Sequence, residues 1–214
     1  MYLPRHFEET RPAALHDLMR ARPLATLVTA DGAGGFEANH IPLHLDATAG
    51  PQGVLRGHVA RANPLWRAVG EGAPALAIFQ GDDAYISPSW YPSKHEHGKA
   101  VPTWNYAVVH AHGSLRAIDD AAWLRGLLDT LTDAHESGFA RPWSVADAPV
   151  DFVDKMIAAV VGIELRIERL TGKWKVSQNQ PAANRAGAAQ GLRERGRPDA
   201  AAMARLVAGY PDET

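Results

Sequence analysis

Between Leu24 and Ile118 the chain offers six runs that read as β-strands, separated by turn signals and interrupted by a single short helical segment. Parallel strands need long crossover connections, usually helical, so this rhythm favours a small antiparallel barrel over a doubly wound sheet. The runs are LATLVTA (24–30), FEANHIPLHLD (36–46), GVLRGHVA (53–60), PALAIFQG (74–81), AYISP (84–88) and WNYAVVHAHGSLRAI (104–118). The glycine-rich DGAGG joins the first two, and Gly81-Asp82-Asp83 reads as a turn between the fourth and fifth. NPLWRAVGEG (63–72) reads as the short helix, ended by glycine.

Helices are expected at the two ends. Leu15, Leu18 and Met19 make a helical stripe in AALHDLMRAR (13–22), which Pro23 closes. Asp119 and Asp120 sit as caps before AAWLRGLLDTLTDAHES, where Trp123, Leu127, Leu128 and Leu131 form a stripe. A further helix follows Pro149, and VGIELRIERLTGKWKVS (161–177) alternates apolar and charged residues as a half-exposed strand does. From Pro181 the composition turns to Ala, Gly and Arg, with helices expected in AANRAGAAQGLRER and DAAAMARLVAGY. With no internal repeat and no long linker, the reading is one α+β domain, an antiparallel split barrel over 1–214 whose segment from about 181 to 214 is helical.

Charge narrows the partners. A net charge of -2 leaves no global basic footprint for nucleic acid or an anionic membrane. The chain has no cysteine, which removes disulfides, thiolate metal sites and cysteine nucleophiles. MYLPRHFEETRP lacks the apolar run of a signal peptide, and no apolar stretch approaches the roughly 20 residues that span a bilayer. The expected location is the cytoplasm.

Chemistry concentrates in YISPSWYPSKHEHGKAVPTWNYAVVHAHG (85–113), which holds three of five tyrosines and four of ten histidines. His110 and His112, two apart on a strand, share a face, and His95 and His97 repeat the spacing in a loop. There is no H-E-x-x-H and only Glu96 nearby as a carboxylate, so the histidines read as polar strand and loop residues and no metal is expected. Ser87 and Ser89 lack a nucleophile elbow. A flat anionic cofactor needs cations and hydroxyls for its phosphate and apolar or aromatic walls for its ring. His58, Arg61, Asn63, Ser87, Ser89 and Lys94 offer the first; Trp90, Tyr91, Trp104 and Tyr106 offer the second, with packing in the core or a dimer as the competing explanation of the rings.

HVARANPLW (58–66), YISPSWYPSK (85–94), VPTWNYAVVHAHG (101–113) and KWKVSQN (173–179) resemble the FMN-binding negative transcriptional regulators of the PaiB type, a branch of the flavin-reductase-like and pyridoxamine-phosphate-oxidase-like split barrels. The similarity runs from MYLPRHFEE to the NRAGAAQGL segment. It implies a homodimer with two FMN sites at its interface. Carried onto this chain, the site residues are Asn39, His40, His58, Arg61 and Asn63, then Ser87, Ser89 and Lys94, then Thr103, Trp104 and Asn105. Trp174, Lys175 and Gln178 would reach across from the partner subunit. No catalytic residue is assigned, and a different flat phosphate such as pyridoxal phosphate stays open. The resemblance implies a repressor or flavin-dependent sensor; the alternative is a flavin-dependent oxidoreductase. For DNA the sequence offers only the arginines of the tail, Arg185, Arg193, Arg195, Arg197 and Arg205, which also fit a solvated or dimer-docking helix.

Overall fold

The structure, a computed structural model, describes residues 1–210. The last four residues of the expected helical segment lie outside the described residues. Among the described residues the chain forms eight strands and seven α-helices. In chain order these are β1 (Glu8–Glu9), α1 (Pro12–Ala21), β2 (Leu24–Ala30), β3 (Phe36–Pro42), β4 (His44–Asp46), β5 (Val54–Ala60), α2 (Leu65–Val69) and β6 (Ala73–Ile86). Then come α3 (Pro92–His97), β7 (Thr103–Ile118), α4 (Ala121–Glu136), α5 (Val150–Ala158), β8 (Val160–Lys175), α6 (Ala182–Glu194) and α7 (Pro198–Gly209). The sheet runs β3-β2-β6-β7-β8-β5-β4, with β1 against β8. Its resolved registers are antiparallel, among them Leu27 opposite Asn39 and His58 opposite Gly162. This is the α+β antiparallel architecture that the strand rhythm predicts.

Two expected elements differ. No turn forms at Gly81-Asp82-Asp83: β6 runs through as one strand of 14 residues. Gly81 is there for space, because a Cβ would lie 2.8 Å from Leu18 Cδ1 and 3.1 Å from the Ala107 carbonyl. The run 36–46 is in turn broken into β3 and β4 at Leu43, whose N–H leaves the ladder for the Pro23 carbonyl at 2.8 Å. Of the two aspartates before α4 only Asp120 caps it, accepting from the Trp123 N–H at 2.7 Å.

The chain divides into two compact units. One is made of Met1–Leu18, Gln80–Val109 and the segment from Thr171 onward. In it, buried Ala188, Ala189 and Leu192 of α6 and Met203, Ala204 and Val207 of α7 give the two helices apolar, closely packing faces. The other, Met19–Phe79 and His110–Leu170, buries Leu124, Val145, Val153 and Ile157 in a cluster flanked by Trp123, Leu128, Ala148 and Val160. Glycines admit its close contacts: a Cβ at Gly162 would fall 2.2 Å from the Trp123 ring. Glu164 on β8 receives Arg56 at 2.8 Å and Arg116 at 2.6 Å, and Arg56 also reaches Asp46 at 2.9 Å.

Candidate functional site

In the first unit, prolines set the path that leaves β6. Ser87 accepts a bond from the Ser89 N–H at 3.2 Å and opens the 3-10 turn Pro88–Trp90. Tyr91 then precedes α3, where Pro92 takes the first helical position, at which a missing N–H costs nothing. Lys94 Nζ donates to the Ser89 hydroxyl at 3.0 Å. The Trp90 ring is committed elsewhere: it lies against α6, so that a Cβ at Gly191 would fall 2.4 Å from it. The Trp90 ring thus packs against α6. Trp104 is about half exposed, and its Nε1–H donates to Asp83 Oδ1 at 2.9 Å while the ring meets Tyr85 edge to face.

The chain after β8 comes back to this path. Lys175 Nζ donates to the Thr103 hydroxyl and, at 2.8 Å, to the Trp104 carbonyl, and burial holds its pKa below the ordinary lysine range. Ser177 is buried with φ 65°, a left-handed conformation that costs a non-glycine residue on the order of 1 kcal/mol or more. Gln178 clasps the turn, accepting from the Val176 N–H at 2.8 Å and donating to the Trp174 carbonyl. The strained residue presents its hydroxyl to Asn105, whose Nδ2 donates to it at 2.8 Å, and to Tyr91, whose phenol burial pushes up in pKa while the serine bond opposes it.

These groups line a cavity of about 280 Å³. Lys99 and Lys175 are its cations; Tyr91, Ser93, Thr103 and Ser177 bring hydroxyls. Asn105, Asn179, Gln180 and Asn184 bring amides, and no carboxylate lines it. Asn105 is 1% exposed, and its Oδ1 has no partner. A buried acceptor left open costs about 1–3 kcal/mol, which makes it a mark of a missing donor.

Of the fourteen residues that sequence singled out, Thr103, Asn105 and Lys175 meet at this cavity, with Trp104 beside them through its carbonyl. Ser87, Ser89 and Lys94 form their own hydrogen-bonded turn. Trp174 is buried in the core, and Lys175 and Gln178 bond to Thr103, to the Trp104 carbonyl and to the turn after β8. Ser93, Lys99, Ser177, Asn179, Gln180 and Asn184 were missed. The run SQNQPAAN carried a usable signal, a string of hydroxyl and amide side chains running into a helix N-terminus.

The second unit places Asn39, His40, His58, Arg61 and Asn63. Asn63 Nδ2 donates to Asn39 Oδ1 at 2.8 Å while its Oδ1 accepts from the Leu65 N–H, so both ends serve the turn into α2. Arg61 pairs with Asp119 through two bonds of 2.8 and 2.7 Å, and donates to the Ala158 and Val160 carbonyls. Asp119, expected as a cap, therefore serves as an ion-pair partner. His40 is exposed on β3. Burial lowers the pKa of His58, whose Nδ1 has no partner. His110 and His112 stand with ring centroids 6.2 Å apart, both held below the usual histidine pKa chiefly by burial. Among the described residues no three His, Cys, Asp or Glu side chains gather as a metal site would require.

Known proteins resemble this chain in sequence and fold. Residues 1–169 match the family described as "Putative FMN-binding domain". The uncharacterized protein AN0679 of Emericella nidulans is 32% identical over 97% of this chain and 96% of its own length. Protease synthase and sporulation protein PAI 2 of Bacillus subtilis is 28% identical over 97% of this chain and 96% of its own. The FAD and heme binding protein from Mycobacterium smegmatis has a like fold, with a TM-score of 0.56 at 23% identity over 78% of this chain and 73% of that one. The chain accordingly belongs to the FMN-binding domain family, and FMN is the cofactor that this membership assigns to it.

Proposed function

We propose that this protein is a cytoplasmic, homodimeric flavin-dependent sensor that acts as a negative transcriptional regulator, holding FMN at the cavity of the first unit. The observation that carries the reading is the open Asn105 acceptor in a cavity with two lysines and no carboxylate. FMN matches that donor set. Its phosphate is an acceptor-only anion for Lys99 and Lys175, and its ribityl hydroxyls supply hydrogens for Asn105. Bound FMN supplies hydride and one-electron chemistry.

What the chain adds at this cavity is binding and position. The lining contains no histidine, carboxylate or cysteine, its one phenol, Tyr91, is made a weaker acid by burial, and Lys175 is engaged by Thr103 and the Trp104 carbonyl. That favours a sensor over an enzyme. Asn184 gives a route for the signal. It stands in the first turn of α6, donates to the Ser93 hydroxyl at 2.8 Å and accepts from the Ser93 N–H at 3.3 Å, and α6 packs along α7. Occupancy of the cavity would thereby bias the helices that hold Arg185, Arg193 and Arg205. The name of the Bacillus subtilis relative, a protease synthase and sporulation protein, supports a regulatory role.

Titration of apoprotein with FMN, followed by fluorescence quenching, tests the first half: saturable 1:1 binding is expected, and no binding ends the reading. Loaded protein in the oxidised and reduced states is then offered its own promoter fragment and random DNA at two salt concentrations. Equal affinity for both DNAs rules out direct regulation. Catalysed NADH or NADPH oxidation faster than with free FMN would move the assignment to an oxidoreductase.

A further inference from the structure

We infer that the Asn105 cavity seats the ribityl phosphate of the flavin, so that Lys99, Lys175 and the first turn of α6 set the preference for FMN over unphosphorylated riboflavin. This rests on the FMN reading above and adds which end of the cofactor enters. Three independent features converge. The first is charge. Two lysines face a cavity that no carboxylate lines, and Lys175 keeps its ammonium in place by donating to Thr103 and the Trp104 carbonyl, which uses two of its three hydrogens and leaves one for a ligand. The second is the helix. α6 has 13 residues, begins after Pro181 with no side-chain cap on its first N–H groups, and lines the cavity through Asn184, with Gln180 just ahead of it. Uncapped N–H groups at a helix start attract anions.

The third feature separates a phosphate ester from a bare anion. Asn105 Oδ1 is buried, lines the cavity and needs a hydrogen that no phosphate dianion can give. A polyol phosphate carries hydroxyl donors a few bonds from its charge, and the ribityl phosphate of FMN is one. Size agrees. A cavity of about 280 Å³ lies just below the range of roughly 300–1,000 Å³ in which whole drug-sized ligands are buried, so it suits one end of FMN and leaves the three-ring system outside. The strained Ser177 fits the same picture, since it occupies Asn105 Nδ2 and so turns the amide's acceptor toward the ligand.

The test measures dissociation constants of FMN and riboflavin by fluorescence quenching for the wild type, Lys99→Gln, Lys175→Gln, Lys175→Arg and Asn105→Ala, with circular dichroism as a check of folding. In the wild type FMN should bind at least tenfold more tightly than riboflavin, and inorganic phosphate should compete with FMN but not with riboflavin. Each lysine-to-glutamine change should weaken FMN by about tenfold, the size of one hydrogen bond to a charged group, and leave riboflavin unchanged. Lys175→Arg should restore most of the FMN affinity. Asn105→Ala should weaken both flavins alike, because both carry the ribityl hydroxyls. An FMN to riboflavin ratio that the lysine variants leave unaltered overturns the placement of the phosphate while the FMN reading stands. Failure of the wild type to bind either flavin overturns that reading itself.

Discussion

Asn105 and Arg61 were chosen from the sequence for the same reason, as polar residues in motifs around a cofactor, and the structure treats them in opposite ways. Arg61, in the second unit, places its guanidinium on Asp119 and two backbone carbonyls. Asn63 beside it is saturated by Asn39 and the Leu65 N–H. Asn105, in the first unit, is buried more deeply yet leaves its carbonyl open to a cavity. Deep burial of a polar atom is tolerated when it has a partner, so an open one in a lined cavity points to a ligand, whereas a saturated cluster points to architecture.

The largest expected effect tests the architectural side. Glu164 is buried among Arg56 and Arg116, and Glu164→Gln would leave two guanidiniums with weakened partners on the sheet face. Because both arginines retain solvent access, the loss should be about 2 to 3 kcal/mol, somewhat below that for breaking a fully buried pair. Urea unfolding reads it directly. Flavin affinity of the folded protein should stay at the wild-type value, and a parallel loss of affinity would break the division between the two clusters.

Arg61→Ala makes a subtler cut. Its pair with Asp119 is exposed, so the stability change should be small, visible as a modest drop in Tm. What the arginine loses is its hold on the carbonyls at the end of α5, and FMN affinity should not move. If FMN binding weakens tenfold while Tm holds, Arg61 returns to the cofactor site and the saturation argument fails.

Much of this was legible in the sequence, and the parts that were not share a cause. Strands β2, β5 and β7 are marked by period-2 alternation and β-branched residues. Gly81-Asp82-Asp83 carries turn chemistry in its letters, yet the glycine answers a steric demand from Leu18 and Ala107, residues distant in the chain. Ring count around Trp90 is visible in the sequence, whereas the Gly187 and Gly191 notch that receives it lies about a hundred residues on. The site was half legible for the same reason. Thr103, Asn105 and Lys175 fall in rich motifs, but Ser177 acquires its role through a backbone angle and a glutamine clasp that no residue type announces.

The smallest predicted effect concerns the second buried side-chain atom left open among the described residues, His58 Nδ1. Burial lowers the pKa of His58, and also those of His44, His110 and His112, chiefly by desolvating the charged ring. In the unfolded chain these rings titrate near 6.5, so below that pH the unfolded state binds more protons than the folded one. Stability is therefore full above about pH 6.5 and falls as the pH drops from there toward the lower folded pKa values. The carboxylates Glu9 and Glu164, held low by their arginine partners against the opposing pull of burial, contribute a separate loss that begins only as the pH falls through the ordinary range near 4.3. His58→Gln removes one titrating ring and keeps a polar side chain, so Tm measured across roughly pH 7.5 to 5.5 should fall less steeply in the variant. An unchanged slope would mean that His58 is solvated enough to titrate normally, and the second unit would then hold no open polar atom to set against Asn105.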